Sequence, residues 1–190
     1  MTYVPSTCCM RRACLGTLVG TALALAAVPS MAAGAAEIAG DAQAGLKQLY
    51  AAVPGAKAVG AKAVAILVFP KVTKAGLGIG GQYGDGALLV NGKATAYYNT
   101  AGASYGMQAG AQTFGYAMFF MNQGALKQLD ADSGFEVGVG PSVVLMDEGM
   151  AKTMTTKTMD DDVYAFIFGQ KGLMAGLGVQ GNKITKINPK

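Results

Sequence analysis

VAILVFPKVTKAGLGIGGQYGDGALLVNGKATAYYN, residues 64–99, is the stretch whose reading decides the fold. Val64 to Phe69 is a short apolar run rich in β-formers, stopped by Pro70. Glycine then occupies positions 76, 78, 80, 81, 84 and 86, with Leu77, Ile79 and Gln82-Tyr83 between them. Ala87 to Val90 is apolar again, and Asn91-Gly92 is the strongest short hairpin signal a sequence carries. Lys93 to Tyr98 completes a predicted meander of three or four antiparallel strands. Glycine at every second residue leaves one strand face bare, which predicts the close approach of another backbone or sheet.

Upstream of this stretch the period changes to helical. Ile38, Ala42, Leu46, Leu49, Tyr50 and Val53 fall on one face, with Glu37 and Asp41 in the first turns, where the helix dipole favours anions. Pro54-Gly55 predicts the end of that helix, and residues 56–63 suit one or two further turns. Such an amphipathic helix either covers a β core or lies on a membrane surface with its apolar face free.

Downstream, residues 102–121 (GASYGMQAGAQTFGYAMFFM) exceed an ordinary strand of about 5–6 residues. They predict a strand entering a buried region, or two strands broken near Gly110 or Gly115. Asn122 is a plausible N-cap for a helix to Asp130. Residues 132–134 read as a turn. Residues 135–146 read as two β segments divided at Gly140-Pro141, and 147–159 as loop with a short helix. Val163 to Phe168 is a predicted strand, Gly169 to Gly172 a turn, and residues 173–187 a closing hairpin. AGLGIGG at 75–81 is echoed by AGLGVQG at 175–181, and Ala65, Leu67 and Lys71 are echoed by Ala165, Ile167 and Lys171. The expected fold is α+β. Its mainly antiparallel β core is barrel- or sandwich-like, from two pseudo-repeated β units, with an N-terminal amphipathic helix and one or two short helices.

Arg11-Arg12 precedes an apolar run from Ala13 to Val28 and then small residues, the pattern of a cleaved secretory leader. Residues 1–35 are therefore expected to be removed, leaving 36–190 as one domain, exported to the periplasm. The arginine pair is also compatible with twin-arginine export. Cys8, Cys9 and Cys14 lie before or at the start of the apolar run, so a lipidated N-terminus is not expected. Losing Arg11 and Arg12 lowers the net charge from +4 to +2, too little for bulk charge to attract nucleic acid.

Residue types narrow the chemistry. The chain has no histidine, and its cysteines all leave with the leader, so Ser-His-Asp, Cys-His and His-based metal sites are excluded. Gly76, Gly78 and Gly81 match G-x-G-x-x-G, but strand and hairpin follow them rather than the helix a dinucleotide needs. Asp160-Asp161-Asp162 reads as a solvated turn before a strand, and Asp130, Asp132 and Glu136 lack the register of a calcium loop. No enzyme, cofactor or metal is expected. Lysine remains: Lys57, Lys62, Lys71 and Lys74 cluster with no acid between Asp41 and Asp85, and Lys171 echoes Lys71. A lysine near an anionic lipid surface contributes about 1 kcal/mol.

Four segments carry a resemblance: VFPKVTKAGLGIGGQYGDGALL, YYNTAGASYGMQAGAQTFGYAMFF, FEVGVGPSVVLMD and DDVYAFIFGQKGLMAGLGVQGNKITKIN. In order, from about Ala42 to Asn188, they resemble the SYLF lipid-binding family, also described as the domain of a yeast actin-binding protein. The resemblance implies binding of phosphoinositide or another anionic phospholipid through an N-terminal amphipathic helix and basic residues. In this chain those roles fall to Leu46, Leu49 and Tyr50 and to Lys57, Lys62, Lys71, Lys74 and Lys171. The expected partner is an anionic membrane surface, contacted peripherally from the envelope. Neither actin in that compartment nor an accessory SH3 module is expected. The alternative is an envelope structural protein docking another protein through its β core, favoured if Tyr97, Tyr98 or Phe120 is exposed. A carrier enclosing one apolar ligand is a third reading.

Overall fold

The computed structural model describes residues 34–130, 135–136, 142–146 and 161–190. The leader up to residue 33, the 132–134 turn, the 140–141 break, the 147–159 segment and Asp160 lie outside these residues.

α1 (Ala35–Ala52) and α2 (Pro54–Gly60) open the described chain. In α1 the apolar stripe turns inward: Ile38, Ala42 and Leu49 are buried, and Leu46 and Tyr50 pack half-buried against the same cluster. Pro54 does not lead into a loop. It takes the first position of α2, where its fixed φ suits the helix and its missing N–H has no partner to lose.

Three long strands follow, β1 (Ala65–Val90), β2 (Lys93–Phe120) and β5 (Val163–Ile187), with α3 (Gln123–Leu129), β3 (Phe135–Glu136) and β4 (Val143–Met146) between the last two. The sheet order is β1-β2-β5-β3, antiparallel throughout, and β4 pairs parallel with β5. Asn91 (φ 50°) and Gly92 (φ 77°) form the β1–β2 turn, with the left-handed pair of a type I′ hairpin. Asn122 caps α3 as expected, its Oδ1 accepting from the Ala125 N–H at 2.8 Å.

The expected strand breaks do not occur. Residues 65–90 form one strand of 26 residues, and β2 passes Gly110 and Gly115 without ending. β5 likewise absorbs the turn expected at 169–172 and the hairpin expected at 181–182. Each strand finds a partner of matching length, so irregularities become bulges. The register slips between Phe69 and Val72, between Leu77 and Ile79, and between Thr113 and Gly115. Pro70, which has no N–H for the ladder, sits in the first slip.

Length is accommodated by folding the sheet over. Gly78 (φ 71°) bends β1 so that Gly76 lies directly on Gly80, whereas four residues of straight strand would separate them by about 13 Å. Beyond the bend, Gly84 lies over Lys71 and Val72, and Gly86 over Val68 and Phe69. A methyl on Gly84 would come within 2.8 Å of the Lys71 carbonyl oxygen. The bare glycine face does meet another backbone, and that backbone belongs to the same strand.

Two apolar clusters result. Between the layers lie Leu67, Phe69, Leu88, Tyr98, Met118 and Phe120, closed by Leu129 of α3. On the other face α1 and α2 cover Ile66, Val68, Leu89, Phe119 and Phe166. The echo at offset one hundred is positional: Gly80 and Gln180 both pair with Ser104, and Gly81 and Gly181 with Ala103. The copies are the two strands flanking β2.

Candidate functional site

The bend of β1 carries the unusual surface. Its inward positions 76, 80, 84 and 86 are glycine, so its outward positions hold the side chains. Leu77 is 82% exposed, Ile79 69%, Tyr105 74% and Leu173 88%. Row partners in a sheet share a face. Ile79 pairs with Tyr105, and Leu77 with Ala109; Ala75, Ala111 and Leu173 form one row. Tyr83, also exposed, pairs with Ala101. The outer side of the fold is thus a three-strand ridge of Leu, Ile, Tyr, Ala and Gly open to solvent. Apolar side chains so exposed and so contiguous mark an interaction surface.

Lysines stand on its shoulders. Lys171 shares a row with Thr73 and Thr113, one step from Leu173, and the exposed Lys71 sits in the slip beside that row. On the other side Lys183 shares a row with Ala101 and Tyr83. Asp85, near this shoulder, is held by the Asn99 amide, whose Nδ2 donates to Oδ1 at 2.8 Å. The Tyr83 hydroxyl rises above its ordinary pKa, mainly through desolvation and then through Asp85.

The structure divides the expected site. Lys71 and Lys171 come together across β2. Lys74 does not join them: it faces inward with Val72, into the space between the layers. Lys57 and Lys62 are exposed on and just after α2, and the extended run from Ala65 to Lys71 puts about 20 Å between them and the ridge. The helical residues of the expected site pack towards the sheet. Leu49 is fully buried, Tyr50 packs on Phe119 with ring centroids 6.4 Å apart, and Leu46 joins the same cluster. α1 stacks too closely to leave that face free, since Gly45 sits on Pro70 and Phe168. Burial accordingly raises the Tyr50 hydroxyl pKa.

Sequence reasoning missed Leu77, Ile79, Tyr105, Leu173 and Lys183. The available signal was inverted alternation: where the inward parity is glycine, Leu77 and Ile79 have nowhere to go but out. The residues named for a protein-docking face behave otherwise, because Tyr98 and Phe120 are fully buried.

At the far side, Tyr98 donates its hydroxyl to Asp130 Oδ1 at 2.7 Å, and Lys186 Nζ meets the same oxygen at 2.8 Å. The Lys186 bond, with Tyr98 second, holds the Asp130 carboxyl below its ordinary pKa. Asp162 is structural, its Oδ1 accepting from Asn122 Nδ2 at 2.6 Å. Among the described residues no acidic cluster suited to a metal occurs, and no helix is long and apolar enough to cross a membrane.

Residues 101–189 match the family model Ysc84, described as Las17-binding protein actin regulator. This match is consistent with membership of the SYLF family. The matched segment contains the second half of the fold, from mid-β2 through β5. It includes Tyr105, Leu173, Lys171 and Lys183 of the ridge. Membership of the SYLF family points to lipid- or actin-related binding. No curated protein matches the chain.

Proposed function

We propose that this SYLF protein binds anionic phospholipid at the cell envelope, without catalysis, and that the apolar bend is the part that enters the bilayer interface. The observation that carries this reading is the exposure of Leu77, Ile79, Tyr105 and Leu173 on one outward ridge, flanked by Lys71, Lys171 and Lys183. Full burial of such side chains is worth about 1.5–3 kcal/mol each. Half-burial of these four side chains gives roughly 3–6 kcal/mol, against about 1 kcal/mol per lysine beside an anionic surface. Insertion therefore supplies at least half of the affinity, and the lysines supply the preference for negative head groups. The periplasmic address rests on the leader pattern of residues 1–35.

Sedimentation with phosphatidylglycerol-containing vesicles tests it. The full chain is expected to sediment with these and less with neutral vesicles, and to be weakened but not released by high salt. Leu77→Asp with Ile79→Asp is expected to abolish sedimentation while leaving the melting transition in place. Sedimentation equal to wild type in that double variant overturns the reading. A concentration-dependent dimer that forms without lipid and is lost in the same variant would assign the ridge to a protein partner instead.

A further inference from the structure

We propose that the notch where the apolar ridge meets α1 holds a phosphate monoester between Lys71 and Lys171. This site is the head-group end of the ridge and rests on the membrane reading proposed for it. The sequence echo of Lys71 and Lys171 becomes one geometric device used twice. From Phe69 to Val72 β1 takes three steps where β2 takes two, from Tyr116 to Phe114. From Phe168 to Lys171 β5 takes three steps where β2 takes two, from Gly115 to Thr113. Each flanking strand therefore carries a one-residue bulge at the same level of β2, and Gly169 (φ 60°) supplies a left-handed residue in the β5 copy. Bulges re-aim side chains, and both copies here bring out an exposed lysine.

Around these lysines the notch is polar and cationic. Lys171, Thr113 and Thr73 share one row on the outer face, and Val72, beside Lys71, is buried. Two strand spacings of about 4.8 Å put β1 and β5 roughly 10 Å apart, so two lysine side chains reach a common anion over Thr113. α1 forms the back wall. Gly45 sits on Pro70 and Phe168, and a methyl on Gly169 would come within 2.9 Å of Gln48 Nε2. Thr113 is half-buried at the centre, whereas Lys71, Lys171, Thr73 and Gln48 are exposed around it. Among the described residues none of these side chains has a hydrogen bond or ion pair. No carboxylate occurs in residues 69–75, 111–115 or 168–173, or in α1 after Asp41. Two ammonium groups with hydroxyl and amide donors between them balance a phosphate monoester, which carries close to two charges and three free oxygens, where a diester carries one charge. The next row, Ala75–Ala111–Leu173, opens the ridge, so acyl chains attached to the phosphate continue over apolar surface.

Sedimentation of the full chain tests this with phosphatidate and phosphatidylglycerol vesicles matched for zeta potential, and amide shifts on adding glycerol 3-phosphate test it without a bilayer. Phosphatidate vesicles are expected to bind at least about fivefold more tightly, the effect of one further lysine contact with an anion. Glycerol 3-phosphate is expected to shift Lys71, Thr113 and Lys171, and the diester glycerophosphoglycerol to leave them in place. Lys71→Gln with Lys171→Gln is expected to erase the phosphatidate preference. Lys57→Gln with Lys127→Gln, an equal loss of charge at exposed helix positions, is expected to keep it. Both pairs replace exposed side chains and are expected to retain the wild-type melting transition. Saturable glycerol 3-phosphate shifts at the notch with no binding to either vesicle would assign the site to a soluble phosphate monoester and overturn the ridge reading alone. Equal binding of both vesicles, a preference that survives in the Lys71→Gln/Lys171→Gln pair, or glycerol 3-phosphate shifts confined to other residues would each overturn the notch and leave the ridge reading standing.

Discussion

Gly86 faces Phe69 across the fold with no room for a side chain, whereas a methyl on Gly81 would meet only the Gly102 carbonyl oxygen at 3.7 Å. Gly86→Ala would drive its methyl into the Val68 carbonyl and the Phe69 ring. It is expected to cost about 1–3 kcal/mol in urea unfolding, as overpacking does. Gly81→Ala is expected to stay within about 0.5 kcal/mol of wild type. An equal effect of both would mean that the layers do not touch at Gly86. Asp130 gives a second test at this scale. Its folded pKa is lowered, so its stabilisation is present above the unfolded value near 4 and is lost as pH falls through the folded value. Asp130→Asn is expected to cost up to about 1 kcal/mol near neutral pH, the limit for so exposed an ion pair. The difference should vanish in acid, read from denaturant midpoints at both pH values.

The elements show how far sequence reaches. The Asn91-Gly92 hairpin, the Asn122 cap and the stripe of α1 were all legible, because each depends on residues a few positions apart. The glycine alternation announced a close backbone contact but not its partner, since which backbone arrives is a long-range fact. Strand length was illegible for the same reason. Gly110 and Gly169 look like chain breakers, yet β2 is paired on both sides at Gly110, and β5 passes Gly169 within a register slip against β2. The site followed this divide. Lys71 and Lys171 lie on either side of β2, and of the two readings of α1, a lid on the β core or a membrane-surface helix, the burial of Leu49 fits the lid. Leu49→Ala is therefore expected to cost about 2–5 kcal/mol of stability and to leave vesicle affinity per folded molecule unchanged. A helix that served lipid would show the reverse.

For the whole molecule, the fold gives opposite tasks to the two sides of one sheet. Among the described residues its inner side is packed against itself and its α1 side is covered by helices, while the outward bend keeps Leu77, Ile79, Tyr105 and Leu173 exposed. The chain contains no tryptophan, so one introduced at the bend reports without background. The most direct measurement is the emission of Ile79→Trp, with Lys47→Trp on the exposed side of α1 as its counterpart, on anionic vesicles carrying brominated acyl chains. The account predicts a blue shift and strong quenching at position 79 and neither at position 47. Quenching at position 47 with none at position 79 would contradict it.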